Sequence, residues 1–233
     1  MALILKSKSI RFGRLDKVND PTEGESADFE SLAPNIFISC WTSNTEENFA
    51  LWNMYTPQMR GVRLELLLPI FESYQIGEFK NRLVPENKCV DEENNLFILP
   101  GENEPEEIEY TDDNFKLKPK IETDIGLRIN KLGHFKRKIW ALEKEFRYRL
   151  NIYPTDPQVE SEVFLDGYNN LVGKKTPSID GYLIPIKEES FAKMRIRTSP
   201  KLLNGDFEII NALAEKYNPT ATMEMSLLKG LIR

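Results

Sequence analysis

Asn35-Ile36-Phe37-Ile38-Ser39-Cys40-Trp41 is the stretch on which the fold turns. A short, nearly continuous run of β-branched and aromatic side chains fits a strand buried on both faces, central in a sheet. Upstream, Ser9-Ile10-Arg11-Phe12-Gly13-Arg14-Leu15 puts Ile10 and Phe12 on one side and Arg11 on the other, the pattern of a half-buried strand. Between the two, Asn19-Asp20-Pro21-Thr22-Glu23-Gly24 gathers residues whose side chains bond nearby amides. Pro21 fixes its own φ and pushes Asp20 toward extended geometry, so a rigid acidic turn is expected. Downstream, Ser43 or Asn44 can cap a helix with Glu46 and Glu47 in its first turn and Asn48, Leu51, Trp52 and Tyr55 on one face, bounded by Pro57 and Gly61. Val62-Arg63-Leu64-Glu65-Leu66-Leu67-Leu68 then predicts another strand entering the core.

Further along, Glu86 to Asp113 holds eleven Asp/Glu against one Lys, interrupted by Leu96-Phe97-Ile98-Leu99-Pro100, and reads as a solvated insertion or long hairpin loop. From Lys116 to Arg149 the balance reverses to eleven Lys/Arg against four Asp/Glu, so the two blocks can neutralise one another. Lys131 to Ile152 fits a helix stripe through Leu132, Phe135, Ile139, Leu142 and Phe146, and a strand through Phe146, Tyr148, Leu150 and Ile152. The reading chosen is a helix to about Trp140, then a strand whose Glu143, Glu145, Arg147 and Arg149 point together away from the apolar face. Asp166 to Ile186 predicts turns and a short strand at 182–186, Asn204 or Asp206 starts a helix ended by Asn218-Pro219, and Thr222 to Arg233 adds a last strand. No internal repeat or linker divides the chain. The expectation is a single α+β domain over residues 1–233, with a mixed or antiparallel central sheet, flanking helices and an acidic insertion at about 86–113.

Composition removes several chemistries. The 233 residues carry 31 Lys+Arg and 37 Asp+Glu, a net charge of −6, with one His. A zinc site of the HExxH type needs two histidines and His134 stands alone; no GxSxG elbow accompanies it. Cys40 and Cys89 belong to no CxxC pair and read as reduced thiols. No run approaches a membrane span, and the apolar stretch at Met1 to Leu5 is too short for a secretion signal. The expectation is a cytoplasmic protein without membrane contact and without a metal.

Arg11-Phe12, Asn19-Asp20-Pro21-Thr22-Glu23, Cys40-Trp41-Thr42-Ser43, Leu51-Trp52-Asn53-Met54-Tyr55, Gly61-Val62 and Trp140-Ala141-Leu142-Glu143-Lys144-Glu145-Phe146-Arg147 occur in that order. The set resembles the bacterial domain-of-unknown-function family 2971, through its NDPxE, C-aromatic-[ST]-S, LWxxY and WxxExExR elements over most of residues 9 to 150. The resemblance implies no defined biochemistry. It does imply a setting, since such proteins accompany bacterial defence and mobile-element genes.

The order Arg11, Thr42-Ser43, Glu143-Lys144-Glu145 is also similar to that of ADP-ribosyltransferases, which place a phosphate-holding Arg, a supporting Ser/Thr and an ExE pair on successive strands. A guanidinium grips a phosphate bidentately and stays charged at any working pH. A carboxylate beside the ribose stabilises the oxocarbenium-like charge that develops as nicotinamide leaves. Two carboxylates two residues apart on a strand share a face at about 6 to 7 Å. On this reading Glu145, Glu143 and Arg11 are catalytic, while Arg11, Thr42, Ser43, Trp52 and Tyr55 hold NAD as substrate, with Trp41 a further stacking candidate.

Each of these residues has a plainer role open to it. Arg11 can pair with Asp20 or Glu145. Glu143 and Glu145 alternate with Arg147 and Arg149 as a salt-bridged face would. Trp52 and Tyr55 fit a helix core face, Cys40 a small hydrophobe, and Asp20 and Glu23 turn or capping residues, with a metal role beside Glu143 the sharper alternative. Lys144 directly follows Glu143, which places its amine on the opposite strand face and weakens a PD-(D/E)xK nuclease reading. Lys136-Arg137-Lys138 with Arg195, Arg197 and Lys201 can hold a nucleic-acid acceptor or form solvated surface. The functional expectation is an NAD-consuming ADP-ribosyltransferase or glycohydrolase-like protein of an anti-phage defence or toxin system, acting on a protein or nucleic-acid acceptor. The alternative is a non-enzymatic recognition or nucleotide-sensing module of such a system that binds a protein partner or phage component.

Overall fold

A computed structural model describes residues 1–29, 32–124, 126–155 and 175–232, an α+β fold. Its contacts group into two compact units, one of Met1–Ile10, Asn44–Glu72 and Ile184–Arg233, the other of Arg11–Ser43 and Ser73–Leu183. The part of the expected turn region that spans 166–174 lies outside the described residues.

Most of a seven-stranded sheet belongs to the second unit. Its order is Gly181–Pro185, Ser9–Arg14, Ile36–Thr42, Glu145–Pro154, Leu96–Leu99, Val90–Asp91, with Glu106–Glu107 also paired to Glu145–Pro154. The Ile36–Thr42 strand is central, as its composition predicts: Ile36, Phe37, Ile38 and Ser39 are all buried. Glu145–Pro154 runs antiparallel to it in a register that sets Glu145 against Thr42, Arg147 against Cys40 and Arg149 against Ile38. Because side chains alternate across a strand, one face carries these residues and the other carries Phe37, Ser39, Trp41, Phe146, Tyr148 and Leu150. Both faces are covered. On the first, Leu15, Leu32, Ile36, Ile38, Ile121, Leu132 and Tyr153 form an apolar cluster beside the charged side chains.

The first unit contains the strands Val62–Glu65, Arg195–Thr198 and Thr222–Glu224 and the helices Ala2–Ser7, Phe49–Tyr55, Glu188–Ala192 and Asn204–Tyr217. Ile196, Met194, Phe191, Phe71, Leu5 and Trp52 are buried in it. The Asn204–Tyr217 helix and the final strand at 222–224 agree with the sequence reading.

Four local expectations are corrected. The Leu96–Leu99 segment is a sheet strand and no solvated loop: Leu96 and Ile98 are fully buried and pair with the Tyr153 end of Glu145–Pro154. Acidic flanks hide a short apolar run from any averaged composition. Residues 131–140 form no α-helix. Phe135–Arg137 is a strand lying parallel to Glu109–Thr111, and Lys138–Glu143 is a 3-10 turn ended by left-handed Lys144 (φ 45°). Capping of the Phe49–Tyr55 helix falls to Asn48, whose side chain accepts from the Ala50 and Leu51 amides, rather than to Ser43 or Asn44. The strand beginning at Val62 stops at Glu65, and Leu67 and Leu68 are exposed.

Candidate functional site

The charged face of the sheet holds a buried ion cluster in the second unit. Glu145 accepts from Arg147 Nε (2.6 Å) and Nη2 (3.0 Å), and its Oε2 also accepts from Lys136 Nζ at 3.0 Å. Lys136 donates to Glu143 Oε2 at 2.6 Å. Glu23, delivered by the acidic turn, pairs with Arg147 and lies 3.4 Å from Lys136. These five side chains are between 1% and 6% exposed. Lys136 also stands over the Trp140 ring at 4.8 Å, and the Tyr110 hydroxyl accepts from the Glu145 amide at 2.8 Å. Strand pairing explains the meeting: Lys136 sits opposite Tyr110, and a single left-handed residue, Lys144, lets Glu143 and Glu145 reach the same amine.

The cluster holds three carboxylates against two cations. Desolvation pushes Glu145 up, but Arg147, the Cys40 thiol and Lys136 outweigh it and hold the carboxyl at about 2. For Glu23 desolvation wins over Arg147 and Lys136, and its pKa is raised. Desolvation works against the charge of both Lys136 and Arg147, and the surrounding acidic groups more than restore it. The Cys40 thiol is driven up first by desolvation and then by Glu145, so it stays protonated at neutral pH. Three donors, Arg147 Nε and Nη2 and Lys136 Nζ, hold the Glu145 carboxylate, so a ligand hydroxyl would have to compete with them.

On the same sheet face a hollow of about 300 Å³ opens beside the cluster, lined by Arg11, Gly13, Arg14, Lys17, Val18, Ile38, Cys40 and Asp180. The pairing of Gly13 with Ile38 puts Arg11, two residues earlier, on the face that carries Cys40 and Arg147. Arg14 is held by Asp16 through Nε (2.8 Å) and Nη2 (2.6 Å). Arg11 is exposed and donates from Nη2 to the main-chain carbonyl of Asp180. Its guanidinium lies on Gly181, where an added Cβ would stand 2.2 Å from Nε, so any side chain there would push the Arg11 guanidinium aside. The hollow is therefore cationic along Arg11, Arg14 and Lys17, with an apolar wall of Val18 and Ile38 and Cys40 in its lining.

The residues singled out in the sequence are distributed as follows. Arg11 lines the hollow, Glu145 and Glu143 lie in the cluster, and Glu145 is absent from the hollow's lining. Thr42 donates from Oγ1 to the Glu143 carbonyl at 2.5 Å, and the Ser43 amide donates to the Lys144 carbonyl at 3.2 Å, so both brace the turn that presents the ExE pair. Trp41 projects from the opposite sheet face and donates to Ser39 Oγ at 2.9 Å. Trp52 and Tyr55 belong to the first unit, Trp52 buried and Tyr55 57% exposed. Lys136 leaves the basic patch for the cluster, and Arg195 and Arg197 are paired with Glu65 and Glu224. The acidic and basic blocks do meet, through Glu109 with Lys116 and Asp112 with Lys138.

Sequence reasoning does not single out Lys17 or Asp180, which line the hollow, and it groups Lys136 with Arg137 and Lys138 as an acceptor-holding or solvated patch, whereas the structure places it in the cluster. Among the described residues no group of three or more His, Cys, Asp or Glu is set to hold a metal, and no helix is long and apolar enough to cross a membrane. Three of the quoted sequence elements, around Glu23, Cys40-Thr42 and Trp140–Arg147, converge on the one cluster. No family model, curated protein or solved structure matches the chain.

Proposed function

We propose that the chain is a nucleotide-recognition module, in which the hollow takes a phosphate-bearing ligand against Arg11, Arg14 and Lys17 and its flat, less polar part against Val18 and Ile38. The observation that carries this reading is a local concentration of three cations in a concave, partly apolar site of a chain whose net charge is −6. The buried cluster is then the rigid support beside the hollow, on the same sheet face from which Arg11 projects. The resemblance to family 2971 adds a defence-system setting for such a sensor.

Calorimetry and thermal shift with AMP, ATP, GTP and NAD test it. At least one nucleotide should raise the melting temperature, and Arg11→Ala should weaken its binding tenfold or more, about 1.4 kcal/mol. Equal affinity of wild type and Arg11→Ala, or no response to any nucleotide, overturns the reading.

A second reading, NAD consumption through Glu145, draws support from Arg11 and Glu145 sharing one sheet face. It requires the Glu145 carboxylate to exchange an existing partner for the ribose. Chromatography for released nicotinamide, with Glu145→Gln as control, separates the two: turnover lost in the variant favours the enzyme, and binding without turnover favours the sensor.

A further inference from the structure

Among the described residues that line the hollow, Asp180 is the one acid, and it already occupies the cationic wall. Its main-chain carbonyl takes a hydrogen bond from Arg11 Nη2, and its Oδ1 lies 3.6 Å from Arg14 Nη1. That Arg14 nitrogen is the one Asp16 leaves over, since Asp16 accepts from Nε and Nη2. The Asp180 side chain is 75% exposed, so it swings away at little cost in packing. Gly181 behind it has no Cβ and lets the Arg11 guanidinium lie against the backbone, which keeps carbonyl, guanidinium and carboxylate together.

We infer that Asp180 is an internal competitor for the anion position of the hollow: a phosphoryl group that engages Arg11 and Arg14 must displace the Asp180 carboxylate from Arg14. The inference rests on the nucleotide reading of the hollow and adds a residue that sets its affinity. Displacing the carboxylate weakens every anion at that position by the same factor, and a terminal phosphomonoester, whose two charges engage Arg11 and Arg14 together, is the ligand best able to take the position. The apolar wall of Val18 and Ile38 further favours a phosphate that carries a ring over free phosphate.

The test is titration calorimetry of the full chain with AMP and with inorganic phosphate at low salt, where exposed charges are least screened. Asp180→Asn should tighten both by about threefold to fivefold, the size expected for one exposed ion pair. Glu78→Gln, an equal charge change at an exposed hairpin position outside the sheet, should leave both unchanged. AMP should exceed phosphate in every variant that binds. If wild type binds, Arg11→Ala does not, and Asp180→Asn shows no gain, the competitor role is overturned while the hollow reading stands. If neither wild type nor Asp180→Asn binds either probe, or if Arg11→Ala binds as wild type does, both are overturned. Asp180→Ala repeats the measurement without a polar side chain, and matched melting temperatures confirm intact folding.

Discussion

Glu145→Gln is the perturbation that weighs the buried cluster. The substitution keeps the shape and removes one of three carboxylates that share Lys136 and Arg147. A carboxyl held at about 2 against an ordinary 4.5 contributes about 3 kcal/mol at neutral pH, in line with the ~3–5 kcal/mol typical of breaking a buried pair. For a chain of this length that is a fall in melting temperature of about 6–12 °C. The sign with pH follows from the depressed value. The contribution is complete above the unfolded pKa and is lost as pH falls from about 4.5 to about 2, so the gap between wild type and variant should close on acidification. Thermal unfolding followed by circular dichroism between pH 7 and pH 3 reads both effects. A melting temperature within ~2 °C of wild type at pH 7, or a gap that persists unchanged into acid, would refute the assignment of Glu145 to structural support and return it to the list of groups free to act on a ligand.

The other predictions follow from the same geometry. Glu23 has the opposite sense: desolvation raises its pKa, so its stabilising contribution is greatest below the ordinary carboxyl value and shrinks as pH rises; chemical denaturation of Glu23→Gln across pH 4 to 8 should show the variant gaining on wild type upward. Ile98→Ala should cost about 2–5 kcal/mol in urea unfolding, because Ile98 is fully buried in the sheet, whereas a residue of a solvated loop would cost almost nothing. Asn48→Ala should cost about 1 kcal/mol through loss of the cap, while Ser43→Ala and Asn44→Ala leave that helix unaffected, as melting temperatures will report. Gly181→Ala should weaken nucleotide binding by displacing Arg11, with affinity measured by calorimetry.

Local periodicity is enough to place several elements. The alternation of Ile10, Arg11 and Phe12 and the apolar run at 36–41 each encode their own secondary structure, because a buried strand face must repeat at the strand's own period. Charge statistics misled where an apolar core segment was short and its neighbours were acidic, as at Leu96–Leu99, and where tertiary pairing overrode a helix-like stripe, as at Phe135–Arg137.

Residue order and type are enough to group Glu143, Glu145, Arg147 and Arg149 in one patterned set, to set Arg11 apart from the apolar side of its strand, and to exclude paired-histidine metal sites. That the patterned face is interior follows from long-range packing alone. The alternation of charges on a strand is identical whether water or protein lies against it, and what covers it here comes from far along the chain: Glu23 from the acidic turn and Lys136 from a strand paired with Tyr110. Arg11, by contrast, remained open because the residue laid beneath it is Gly181, whose missing side chain leaves room for a guanidinium and a hollow beside it.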